Sequence, residues 1–216
     1  MKKIFASSVL TMAAFAMPGV AFAQFGGLSV LGGSKTSAPA ADLGGQQTSL
    51  VKNFIGANVD VLKANAKMSE ALGLKDKAAD ADAVAQQLAS GATVDKDSAT
   101  KAATAVGDSS GAIAAKIAEK PVLDAAAKAT FAAGLANLAS GVVKYTGLGK
   151  DVSAMGDSMK SASPMQLTSL GAAVYVVKNF PTSVTEVTKA LKNAVDFAKT
   201  NNIEVPADAN KVLAAL

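Results

Sequence analysis

The chain has 216 residues and a formal charge of +4, with hydrophobic side chains at half its positions and no His, Cys or Trp; all 21 of its basic residues are lysines. Those absences remove disulfides, the usual zinc, copper and haem ligands, and the general base that most serine hydrolases employ. They also remove the guanidinium forks that grip phosphate or guanine, and the lysines are scattered among aspartates, so neither nucleic acid nor a metal or other cofactor is expected.

Reading from the N-terminus, "MKKIFASSVLTMAAFAMPGVAFAQ" holds a basic start at Lys2 and Lys3, an apolar run from Ile4 to Met17 and a break at Pro18-Gly19. Ala21-Phe22-Ala23 then supplies an A-x-A cleavage site, so residues 1–23 read as a secretory signal cut between Ala23 and Gln24. The expected product is periplasmic or secreted, with 193 residues and a net charge of +2. No membrane span is expected in it: the longest apolar candidate, residues 130–143, lies between Lys128 and Lys144 and falls short of the roughly 20 residues a crossing needs.

Residues 24–47 carry three Gly-Gly pairs and a proline without periodicity, and read as a disordered, Gly-rich leader. Phe25, Leu28, Val30 and Leu31 give it apolar side chains suited to docking on a partner protein; the alternative is a plain spacer for the signal peptidase. Residues 48–216 read as a single all-α domain, a bundle of about six to eight helices. In the first helix Val51, Phe54, Ile55, Asn58, Leu62, Asn65, Ser69 and Leu72 recur at spacings of three and four, and Gly73 ends it. "KDKAADADAVAQQLASG" is the second helix, stopped by Gly91. Asp95 caps a third, expected to break near Gly107, and Pro121 is placed in the first turn of a fourth. In that helix Ala132, Ala136 and Ser140 form a small-residue face for close packing. "KDVSAMGDSMK" follows, then Ser163-Pro164 opens a helix over "MQLTSLGAAVYVVKNF". Ser183 to Glu186 reads as a capping box before a seam of Val184, Val187, Leu191, Ala194, Val195 and Ala198. Asn201-Asn202 stop that helix, and "PADANKVLAAL" forms the last.

"LASG" occurs at 88–91 and 138–141, followed by related strings at 101–109 and 150–158, which reads as a duplicated helical hairpin. Chance matching in an Ala-rich chain is the alternative.

Gly107-Asp108-Ser109-Ser110-Gly111 fits G-x-S-x-G, the turn that presents a nucleophilic serine. That turn needs a strand before it and a base beside it, whereas Lys101 to Val106 is helical in pattern and the chain has no His. Ser98-Ala99-Thr100-Lys101 fits S-x-x-K, but the S-D-N and K-T-G elements of serine–lysine enzymes are missing. "GGSKTS" at 32–37 lacks the strand–helix frame of a phosphate loop, and the acidic strings at 80–83 and 95–97 lack calcium-loop spacing. The sequence therefore points to no enzyme but to an exported interaction or structural module binding unknown envelope proteins. A carrier of a small apolar ligand or lipid is the alternative, suggested by "LTSLGAAVYVV" (167–177), and a Ser–Lys hydrolase is a remote third.

Overall fold

In the computed structural model residues 42–91 and 93–215 are described, and they contain eight α-helices and no strand. The all-helical bundle expected from periodicity is what the chain forms. In order the helices are α1 (Leu43–Ala71), α2 (Lys75–Gly91), α3 (Lys96–Ala118), α4 (Ala125–Gly147), α5 (Gly149–Lys160), α6 (Pro164–Ser169), α7 (Gly171–Thr200) and α8 (Ala207–Ala215).

α1 is the central element, touching α2, α3, α4, α5 and α7. Its whole predicted stripe is buried, the polar members Asn58, Asn65 and Ser69 included. It starts at Leu43, so the leader boundary at 47 is too late. The Asp42 carboxylate accepts the Gly45 N–H at 2.9 Å, which satisfies one of the orphan donors at the helix start. Gly45, which looks like a breaker, permits this cap, because a Cβ there would strike that carboxylate. Gln47, also assigned to the leader, ties α1 to the start of α7. Its Nε2 donates to the Ser169 carbonyl and its Oε1 accepts from the Ala173 N–H, each at 3.2 Å.

α4 lies against α1 through Gly134, Leu138, Gly141 and Tyr145, a buried seam with spacings of four, three and four. The expected face is the wrong one, since Ala136 and Ser140 are exposed. At the true contact the α1 backbone comes so near that a Cβ on Gly134 would lie 3.1 Å from both the Ala64 carbonyl oxygen and the Met68 nitrogen. Lys144 of α4 pairs with Asp60 of α1 at the edge of this contact. The stretch 125–160 is long and apolar enough to pass for a membrane span on length and composition, contrary to the expectation that nothing here is. Phe131, Leu135, Leu138 and Val142 are nonetheless fully buried within the bundle, as in the core helix of a folded domain.

Several local signals yield to burial. α3 runs unbroken through Gly107 and Gly111, because Ala99, Ala102, Val106, Ser109 and Ile113 keep one face on the core across them. α4 starts at Ala125 under an Asp124 cap (2.8 Å to the Ala127 N–H), leaving Pro121 in the preceding loop. The Ser163-Pro164 start is as expected, with Ser163 and Gln166 bonded reciprocally, but that helix stops after six residues. Ser183 to Glu186 is no cap: α7 continues through Pro181. Ala173, Val176, Phe180, Ser183, Val187 and Leu191 hold one buried stripe on both sides of that proline. The two "LASG" strings have different roles, the first closing α2 and the second lying in mid-α4, where Gly141 is a contact residue rather than a stop.

Candidate functional site

The buried polar groups gather around α1. Ser109 of the G-x-S-x-G string is 6 % exposed, and its hydroxyl donates to the Ala105 carbonyl at 2.8 Å, in the back-bonding position one helical turn away. From α1 the Asn65 Nδ2 donates to Ser109 Oγ at 2.8 Å and to Ser110 Oγ at 2.9 Å. Asn65 is thus a two-pronged link between α1 and α3. The serine is a buried acceptor inside a helix, without the strand-to-helix turn that exposes a nucleophile.

The second serine motif is also taken apart. Lys101 reaches across to Gln87 Oε1 of α2, while the Ser98 hydroxyl lies 3.3 Å from that of Thr93. Asp95 accepts from the Ser98 N–H at 2.7 Å and from the Thr93 hydroxyl, and these bonds, Thr93's foremost, hold its carboxyl below the usual range. Asp80 and Asp82 lie on the exposed side of α2 beside Lys77 and Gln86. Among the described residues no three acidic side chains cluster as a metal site would require.

Tyr145 is the largest fully buried side chain. It meets Phe54 edge-on at a centroid distance of 5.9 Å and stacks on Phe180 at 6.4 Å. Burial pushes its phenol far above the ordinary range; Tyr175 and Glu186 add to the rise, and neighbouring Asn58 opposes it. Among the described residues neither its hydroxyl nor Asn58 Oδ1 has a hydrogen-bond partner, although the Asn58 Nδ2 donates to the Phe54 carbonyl at 2.8 Å.

On the outer surface a groove of about 510 Å³ runs between α3 and α7, walled by Ile117, Ala118 and Phe197. A shallower depression of about 200 Å³ continues it past Gly107 and Gly111. The carrier reading anticipated space beside Tyr175 and Val176; there Val176 is fully buried and Tyr175 packs on the core.

No protein-family model matches the chain, and no curated protein or solved structure is significantly similar to it.

The candidate docking residues Phe25, Leu28, Val30 and Leu31, like the "GGSKTS" string and the signal, lie outside the described residues. Sequence reading placed Asn65 on the buried stripe but missed its bond to the serines. The available signal was an asparagine at a position where the pattern calls for an apolar side chain. The exposed apolar residues of α6 were missed as well: no residue of this helix is buried, Met165 is 85 % exposed and Leu167 faces solvent.

Proposed function

We propose that the protein is an exported, non-catalytic helical module that works by contact with other envelope proteins. The N-terminal signal pattern supports export. The observation that carries the contact reading is α6. It is held at its start by the Ser163–Gln166 box and at its end by the Gln47 amide, yet none of its residues is buried and Met165 is 85 % exposed. A short capped helix that holds a methionine in water is a good anchor for an apolar pocket on a partner, since methionine adapts to irregular surfaces. Phe25, Leu28, Val30 and Leu31 would extend that contact from the leader.

The test is a photo-cross-linking residue in place of Met165, expressed in the native envelope. The expected result is a discrete covalent adduct with one protein, weakened by serine at Phe25, Leu28, Val30 and Leu31. Absence of any adduct from position 165 contradicts the reading. A second reading, a carrier of a small apolar ligand, would use the open α3–α7 surface groove, with its Ile117, Ala118 and Phe197 walls, as its site. Its test is mass analysis of the purified protein for a co-purified lipid or other apolar molecule.

A further inference from the structure

Where α1, α3 and α7 meet, Asn65, Ser110 and Asn193 face one small cavity of about 10 Å³. Asn65 is fully buried and both protons of its amide are spent on Ser109 and Ser110, yet among the described residues its Oδ1 has no hydrogen-bond partner. The Ser110 hydroxyl accepts from Asn65, and among the described residues its own proton has no acceptor. Asn193 brings a second carboxamide from α7. The side chains of Met68, Ile113, Ala114, Ile117 and Ala190 form the remaining wall and can satisfy none of these groups.

We propose that this cavity is a binding site for a single water molecule. Its size is the roughly 10–15 Å³ that one water centre occupies, which excludes any organic ligand. A buried water needs two to four polar partners, and three converge here. The water donates to Asn65 Oδ1, accepts from the Ser110 hydroxyl, and uses its second proton or lone pair on Asn193. Rotating the Asn65 carboxamide by half a turn exchanges its oxygen and nitrogen but still leaves one polar atom facing the cavity, so the site does not depend on that assignment. Asn193 and Ala114 also line the two outer depressions, which gives the water a short path to bulk solvent. On this reading the serine string is the α3 half of a hydrated polar joint between three helices.

The test uses the folded mature protein and water-selective nuclear Overhauser spectroscopy, with oxygen-17 relaxation dispersion to count long-lived waters. The expected result is one long-lived water with cross-peaks to the Asn65 side-chain amide and the Ser110 and Ile113 backbone amides. Ala114→Val, which fills the cavity from α3, and Asn65→Leu, which removes the acceptor, should each abolish those cross-peaks. Ala190→Val repeats the filling from α7 should either variant fail to fold. A folded wild-type protein without a long-lived water at these amides overturns the proposal. Cross-peaks that survive Ala114→Val, or that come from aliphatic protons of a bound organic molecule, overturn it equally.

Discussion

Replacing Gly134 by alanine should destabilise the protein, and the same change at Gly107 or Gly111 should stabilise it, although all three are interior helix positions. Glycine costs a helix interior about 1 kcal/mol relative to alanine, so each substitution begins with that gain. At Gly107 and Gly111 a Cβ meets nothing within 4 Å, and the gain of about 0.5–1 kcal/mol should appear in full. At Gly134 the Cβ would lie 2.7 Å from Met68 Cγ and 3.1 Å from two α1 backbone atoms. Met68 is itself buried, and the backbone atoms yield only if α1 and α4 part. Overpacking of this kind costs about 1–3 kcal/mol, and two backbone contacts put Gly134 toward the upper end. The net loss should then be about 1–2 kcal/mol, or several degrees in Tm for a domain of this size. Gly141 is intermediate, because its Cβ would press mainly on the Val61 side chain, at 2.9 Å. Urea unfolding followed by circular dichroism gives the order directly, provided the slope is common to all variants. A Gly134→Ala variant as stable as Gly107→Ala would refute the close α1–α4 contact.

Three further outcomes follow from the buried polar groups and the α3 cap. Asn65→Ala removes two hydrogen bonds between α1 and α3 and should cost about 1–3 kcal/mol in the same unfolding assay. Tyr145→Phe deletes a buried hydroxyl that has no partner among the described residues, so stability should hold or rise by up to about 1 kcal/mol; a loss larger than that would mean the hydroxyl is bonded in solution. Asp95 has a folded pKa below its ordinary 3.8, so its contribution is complete above about pH 4 and is lost as pH falls through the folded value. An acid titration of Tm should therefore show a decline below pH 4 that is shallower in Asp95→Asn.

Much of this architecture was legible as periodicity, and the misreadings share one cause. The α1 stripe from Val51 to Leu72 is buried throughout, because a three–four spacing over six turns has only one way to meet a core. The limits of α2, the Ser163 cap and the stops at Gly73 and Asn202, both with positive φ, were legible for equally local reasons. Gly107, Pro121 and Ser183 misled because each is a sound local signal whose weight depends on the neighbours. The buried stripe of α7 passes Pro181 without a change of register, so tertiary burial outweighs a missing N–H there. The packing glycines escaped notice because Ala132, Ala136 and Ser140 offered a tidier pattern on the opposite face. At the candidate site, the failure of the G-x-S-x-G string as an elbow was readable from its helical context and the lack of His. The partner of Ser109 was not readable, because Asn65 lies 44 residues away and only the fold brings them together.

The central claim is that Ser109 is a buried structural acceptor that joins α1 to α3. The most direct measurement is exposure of the folded protein to a fluorophosphonate that labels activated serines, followed by intact-mass and peptide analysis. The account predicts an unmodified protein, with Ser98, Ser109 and Ser110 unlabelled in the folded and in the denatured state alike. A stoichiometric adduct on Ser109 or Ser98 of the native protein would contradict it.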